Sequence, residues 1–436
     1  MTNATIRVQS PGEGQRLFRR KFMLQVLEGP DKGEQLITAG ETTTVGSADW
    51  NDMVLNDPSV SRHHLRIKIT PDGFALTDLD STNGTTAGNL ELRQALILGP
   101  LDLRLGDTKL RFTPLSEEEE VPLPSVDHFG EVIGRSAAMR ELFRKLERVA
   151  EQDSGVLLEG ETGTGKEIVA RALHTHGPRV DKPFVVVDFA AIPEALHERE
   201  LFGAATADQP GAFEAADGGT LLLDGVELLS DDLQQTLASV LERREAHRIG
   251  DTVGRPFDVR VISSSTSDLM RAVNQGSFRA DLFYRLGVVH FTLPPLRERI
   301  EDIEPLIEAL WPEIGEGDPP AISQEVLQKL RAHPWPGNVR ELRNVIERMV
   351  TLTDGSESEI VEELRLEAPD QPLALEDLDS LTFREAKATL LEHFEQRYLT
   401  ELLRRTGHNV TQASRESGVD RVHLYRLIKK YQLKRP

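Results

Sequence analysis

Eight consecutive residues, Gly160-Glu161-Thr162-Gly163-Thr164-Gly165-Lys166-Glu167, carry the densest chemistry in the chain. The apolar run Val156-Leu157-Leu158 precedes them, and a helical pattern, Ile168 to Leu173, follows. Strand, glycine loop, lysine and helix form the arrangement that holds nucleotide phosphates. Glycines let backbone N–H groups come close, the lysine neutralises charge, and the helix N-terminus adds a partial positive charge. A second concentration of chemistry lies near the end of the chain. Glu401 to Pro436 holds nine Lys/Arg against three Asp/Glu, in a protein whose net charge is −21. A basic tail on an acidic chain points to a local contact with nucleic acid, not to a surface that binds it throughout.

The elements that position these residues fall into three parts, as the length of 436 residues predicts. Acidic, proline-bearing stretches at Leu115–Asp127 and Val361–Ser380 read as linkers too polar to fold. Before the first, short alternating segments such as Leu65, Ile67 and Ile69, with turn signals at Gly29-Pro30, Pro71-Asp72-Gly73 and Asn83-Gly84, predict an all-β sandwich. Between the linkers, strands alternate with helices, as in a parallel α/β sheet. After the second the pattern is helical. The absence of cysteine excludes a disulfide framework, a thiol nucleophile and a cysteine metal site. No apolar run approaches the roughly 18 residues of a membrane span, and the N-terminus does not read as a signal peptide, so the expected location is the cytoplasm.

In the first part, Val45-Gly46-Ser47, Asn51 to Leu55, Val60-Ser61-Arg62-His63-His64 and Asp78 to Thr85 stand in an order that resembles a forkhead-associated (FHA) domain over residues 20–115. The resemblance implies a phosphothreonine peptide held by loops at one end. Ser61 and Arg62 would meet the phosphate, and Thr82 and Asn83 the phosphothreonine and peptide backbone. His64 would tie the loops together. A phosphate carrying about −1.5 to −2 charges suits a guanidinium and hydroxyl donors. Where the family often has Gly-Arg, this chain has Gly46-Ser47; losing a charge-assisted hydrogen bond costs about 1.5–3 kcal/mol. The competing reading is a sandwich whose loops no longer bind phosphate.

After a linker at 116–128, residues 129–363 resemble the AAA+ domain of bacterial enhancer-binding proteins, the activators of sigma-54 RNA polymerase, including a helical lid. The motifs are Ile133-Gly134-Arg135-Ser136, the phosphate loop, Glu200 to Gly203, Gly218 to Asp224, Phe278 to Leu286 and Trp335 to Leu342. The resemblance implies that residues 160–167 bind ATP, with Lys166 on the β and γ phosphates. Asp224 would hold Mg²⁺ through water, Arg340 would sense nucleotide from the lid, and Arg279 and Arg285 would reach a neighbouring subunit's ATP. Arginines acting in trans imply a homo-oligomeric ring.

Three departures stand out. Gly225 replaces the glutamate that follows the strand aspartate and orients water. Loss of such a base slows hydrolysis by about 10²–10⁴-fold. Glu227 could substitute only if the strand end is reshaped. Next, the sigma-54-contacting loop, GAFTGA, normally follows Glu-Leu-Phe-Gly. Here Gly211-Ala212-Phe213-Glu214 leads straight into Ala215 to Gly219 and aligns with the segment beyond that loop, so the loop reads as deleted. Last, Thr266 stands at the end of Val261–Thr266, where the family has asparagine.

A linker at 364–380 leads to residues 381–436, which resemble a Fis-type helix-turn-helix. Phe383–Arg405 reads as an amphipathic helix, Thr411 and Asp420 as caps, and Gly418 as the turn. Arg421, His423, Tyr425 and Arg426 are candidates for base or phosphate contact, and Lys429 and Lys430 for phosphate on double-stranded DNA. A dimer is expected there. The sequence therefore predicts an FHA-controlled, ATP-binding transcription regulator with slow hydrolysis and doubtful sigma-54 contact. An active ATPase that remodels sigma-54 polymerase and a phosphothreonine-binding adaptor are the alternatives.

Overall fold

The computed structural model describes residues 6–9, 16–205, 209–314 and 324–352, and near the C-terminus 398–399, 402, 406, 410–417, 419 and 421–430. The chain forms two compact units, Met1–Glu359 and Ile360–Pro436.

The first part is the expected all-β sandwich. One sheet runs Ile6–Gln9, Arg16–Glu28, Thr108–Pro122, Leu101–Leu105, Thr85–Ala87, Leu90–Leu92, with Gln35–Thr38 also on Arg16–Glu28. The other runs Gln94–Ile97, Gly73–Asp78, Leu65–Thr70, Thr42–Gly46, Met53–Val54. Alternation buries Leu65, Ile67 and Ile69 and leaves Arg66 and Lys68 on the other face. Phe22, Phe74 and Phe112 meet between the sheets with ring centroids 5.0–5.4 Å apart.

The first acidic stretch is not an unfolded linker. Thr108–Pro122 is one strand, and Glu118, Glu119, Glu120 and Val121 pair with Arg20, Arg19, Phe18 and Leu17. The reason is the partner strand, Arg16–Glu28. It sets arginines opposite glutamates, including an Arg16–Glu120 ion pair, while Leu17, Val121 and Leu123 bury together. The sandwich also takes in residues before position 20, because Ile6–Gln9 pairs with Arg16–Arg19.

The central part is a five-stranded parallel sheet in the order Phe184–Asp188, Thr220–Asp224, Arg260–Ser265, Val156–Glu159, Val289–Thr292. Leu157, Leu158, Leu221, Leu222, Leu223 and Ile262 are fully buried, as continuous apolar strands covered on both faces must be. Beyond it, helices Ile303–Ile314, Gln324–Ala332 and Asn338–Leu352 make the lid, anchored by the fully buried Trp335, whose Nε1 donates to Leu330 O at 2.8 Å.

In the second unit, helices Val410–Ser417 and Arg421–Lys430 pack through Ala413 and Leu424 with Leu399 and Leu402. The first begins at Val410, so Thr411 lies within it and is not its cap. Most of the expected helix 383–405, the linker 364–380, Gly418 and Asp420 lie outside the described residues.

Candidate functional site

The phosphate loop joins strand Val156–Glu159 to helix Lys166–Thr175. Gly160, Gly163 and Gly165 all have positive φ, at 156°, 78° and 103°. Gly163 admits no side chain, since a Cβ there would lie 2.2 Å from Gly337 O. Lys166 Nζ donates to Gly160 O (2.7 Å) and Glu161 O (3.1 Å), and Thr164 Oγ1 donates to Glu161 O (2.8 Å). Burial lowers the Lys166 pKa; Asp224 and Glu227 oppose that shift, and Arg340 adds to it. Arg340 lies against the loop, its Cβ 3.0 Å from where a Cβ at Gly163 would stand.

The lid sits directly on this loop. Val339 N donates to Gly163 O (2.9 Å), and Asn338 Nδ2 donates to Thr162 O (3.0 Å) and Glu161 Oε2 (3.2 Å). Arg297 holds Glu161 in a bidentate pair at 2.6 and 2.8 Å, which keeps that carboxyl below its usual pKa. Buried Arg299 donates to Thr164 O (2.9 Å). The Glu161 side chain thus joins loop to lid, and exposed Glu167 pairs with Arg171 (3.2 Å). Sequence reasoning missed Asn338, Arg297 and Arg299. Asn338 lay inside a quoted motif, but its left-handed backbone, φ 53°, appears only in the fold.

Asp224 ends strand Thr220–Asp224 and accepts a hydrogen bond from Ser264 Oγ. Among the described residues no cluster of three or more His, Asp or Glu side chains could hold a metal ion by itself. A single carboxylate beside a phosphate site suits Mg²⁺, which takes phosphate oxygens and water as its remaining ligands. Immediately after Asp224 the chain turns sharply. Gly225 adopts φ 82° and ψ 44°, and a 3₁₀ turn, Val226–Leu228, follows. That turn carries Glu227 to Thr266, just past strand Arg260–Ser265. Glu227 Oε1 accepts from Thr266 N (2.8 Å) and Oγ1 (2.5 Å).

Arg279 pairs with Asp281 (2.8 Å), and Arg285 with Glu242 (3.1 Å). Both flank or occupy helix Ala280–Leu286. Gly203–Ala204 pairs antiparallel with Gln209–Pro210, Gly203 opposite Pro210 and Ala204 opposite Gln209. Phe213 is fully buried, its ring near those of Phe202 and Phe257 (5.9 and 4.6 Å). It is core, not the tip of a contact loop.

On the sandwich, Ser61 and Thr82 come together, with Thr82 N donating to Ser61 Oγ (2.9 Å). Asn83 Nδ2 binds Ser59 O (2.8 Å), and Arg62 is exposed. His64 ties the loops, accepting from Ser61 N (3.2 Å) and lying 3.2 Å from Gly84 O. The backs of these loops rest on the central part. Asn274 Nδ2 donates to His63 O and Leu79 O, Arg271 to Asp78 O (3.0 Å), and Gln275 to Asp80 (2.8 Å). Arg66 and Asp268 form a bidentate pair at 2.6 and 3.2 Å. The Tyr284 ring lies against Trp50, tilted by 33°, and sets its hydroxyl 2.6 Å from His63 Nε2, while His63 Nδ1 lies 3.3 Å from Asn51 Oδ1. Burial pushes the His63 pKa down to about 4, so the ring is neutral and Nε2 accepts. Sequence reasoning found the loops but not this contact, which depends on distant segments.

In the second unit, Arg421, Arg426 and Lys430 are exposed on helix Arg421–Lys430. His423, Tyr425 and Lys429 lie on the same helix, with their side chains outside the described residues. Among the described residues no helix is long and apolar enough to cross a membrane.

Residues 132–292 match the sigma-54 interaction domain, residues 297–375 the AAA+ ATPase lid domain, and residues 390–431 the Fis family of bacterial regulatory proteins. Residues 25–116 match the family described as the cytoplasmic domain of the inner membrane component of T3SS. The transcriptional regulatory protein GlrR of Escherichia coli is 39% identical over 312 residues, 69% of this chain and 68% of its own. NtrC of Rhizobium meliloti is 42% identical over 289 residues, and the match spans 64% of this chain and 58% of that relative. NtrX from Brucella abortus, solved in complex with ATP, is 36% identical over 70% of each chain, with a TM-score of 0.50. On these matches and the architecture that carries them, the chain belongs to the family of sigma-54-dependent transcriptional regulators.

Proposed function

We propose that this protein is a cytoplasmic, DNA-binding transcriptional regulator whose central module binds ATP with Mg²⁺ and assembles into a homo-oligomer under control of the N-terminal sandwich. The observation that carries the reading is the phosphate loop clamped by its lid, with Lys166 on its carbonyls and Arg340 against Gly163. Lys166 exchanges its loop carbonyls for phosphate oxygens, and the N-terminus of helix Lys166–Thr175 receives them. Mg²⁺ held at Asp224 supplies neutralisation of phosphate charge. Arg279 and Arg285 leave their intrachain carboxylates for a neighbour's nucleotide.

The sandwich acts as an FHA-type receptor. Ser61, Arg62, Thr82 and Asn83 take a phosphothreonine peptide, and the support is their grouping on loops held from behind by the helix Leu269–Gln275, next to the helix Ala280–Leu286 that presents Arg279 and Arg285. The helix Arg421–Lys430 enters the major groove of DNA, with Arg421, His423, Tyr425 and Arg426 at bases or phosphates and Lys429 and Lys430 at phosphates. Hydrolysis is slow, because Gly225 supplies no carboxylate. The protein regulates without remodelling sigma-54 polymerase; the buried Phe213 and the pairing of Gly203–Ala204 with Gln209–Pro210 support that reading.

Footprinting of the full chain, with and without ATP, is paired with capture of sigma-54 in ADP–aluminium fluoride. A sequence-specific footprint without capture is expected. Stable capture would restore the polymerase-remodelling reading, and binding with no preferred sequence would favour a signalling adaptor.

A further inference from the structure

We infer that the hydrolysis this module retains runs through Glu227, which replaces the carboxylate that Gly225 lacks. The inference rests on the ATP-binding reading above. The backbone makes the substitution possible. At φ 82° and ψ 44°, Gly225 turns the chain back on itself, and its N–H still donates to Ser264 O (3.1 Å), the last sheet bond of that strand end. The next turn closes when Leu228 N donates to Gly225 O (3.0 Å). Glu227 thereby returns to the C-terminal end of the strands, where Asp224 also lies, instead of following the chain away from it.

The carboxylate is held by one oxygen. Oε1 takes both donors of Thr266, the N–H and the hydroxyl. Oε2 is closed off from solvent and has no hydrogen-bond partner among the described residues. An acceptor left without a donor in a buried place costs about 1–3 kcal/mol unless something meets it. Water admitted with the nucleotide would supply that donor. Gly160 N donates to Ser265 O (3.2 Å), so Thr266, which holds Glu227, adjoins the phosphate loop.

The step balances. Glu227 removes a proton from water as the water oxygen bonds to the γ-phosphorus and the bond to the bridging oxygen breaks. ADP and phosphate leave, and the proton passes on to solvent. Glycine at 225 is then a hinge as well as a missing base. An L-residue forced into that left-handed conformation is strained by about 1–2 kcal/mol, and a Cβ there would already touch Leu228 at 3.4 Å.

The test uses the full chain and its Glu227→Gln, Gly225→Glu and Lys166→Ala variants, with ATPγS and ADP–aluminium fluoride as probes. Gln keeps an oxygen for Thr266 and removes only the base. Expected for Glu227→Gln is a fall in turnover of about 100-fold or more, toward the Lys166→Ala level. ATPγS affinity should stay within about threefold, and affinity for ADP–aluminium fluoride should weaken about tenfold or more, since only the transition state uses the base. Gly225→Glu should lower turnover, not raise it. Parental turnover in Glu227→Gln, equal weakening of both probes, or a faster Gly225→Glu variant would each overturn the assignment. A parent that binds ATPγS but turns over no faster than Lys166→Ala would also overturn it and leave the ATP-binding reading standing. A parent that fails to bind ATPγS would remove that reading itself.

Discussion

His63 connects charge to docking. Its ring accepts from Tyr284 and faces Asn51, and burial holds its pKa near 4 against an ordinary 6.5. The folded state therefore keeps the ring neutral where the unfolded chain protonates it. Between those two values the unfolded chain binds more protons, so this contribution to stability is full above pH 6.5 and is lost as pH falls toward 4. The stability gap between the parent and His63→Gln, read by thermal unfolding, should narrow over that window. A gap that stays constant would mean the ring is not held neutral. His64, also lowered by burial, remains in both proteins and cancels from the comparison.

At the scale of elements, the helix Leu269–Gln275 holds the sandwich loops, and its neighbour Ala280–Leu286, with Arg279 at its start and Arg285 within it, sets Tyr284 against Trp50 and His63. Asn274→Ala would leave the carbonyls of His63 and Leu79 without their shared donor, at a cost of about 1–3 kcal/mol. The expected outcome is ATP-dependent assembly at lower protein concentration, followed by light scattering, with phosphothreonine peptide adding less than it does in the parent. Unchanged assembly would show that docking does not restrain the fingers. The elements themselves were largely legible, because alternation, glycine turns and apolar strands are local signals. The segment Glu117–Glu120 was not. Its acidity reads as a linker until Arg16, Arg19 and Arg20 are placed across from it. Glu227 was illegible for a similar reason: its position depends on the left-handed turn at Gly225, which a string of residues does not display. Phe213, by contrast, was readable from the run that follows it, and its burial agrees with that alignment.

Over the whole molecule, charge is divided by task. The chain carries −21 overall, while its last segment is basic, so DNA is met at one end and repelled elsewhere. Each phosphate contact should contribute about 0.9 to the slope of log affinity against log salt. Lys430→Gln should flatten that slope by about that amount and weaken specific and nonspecific sites alike, whereas Arg426→Ala should weaken the preferred sequence more. Identical losses for both variants would deny Arg426 a role in reading bases. The packing of Trp50 against Tyr284 has an optical consequence. The chain has three tryptophans, of which Trp335 is fully buried and Trp50, at 51% exposure, lies against the Tyr284 and His63 rings. Release of the sandwich would strip those rings from the Trp50 indole and shift its emission to the red, so the intact protein carries its own fluorescent reporter of when the sandwich lets go.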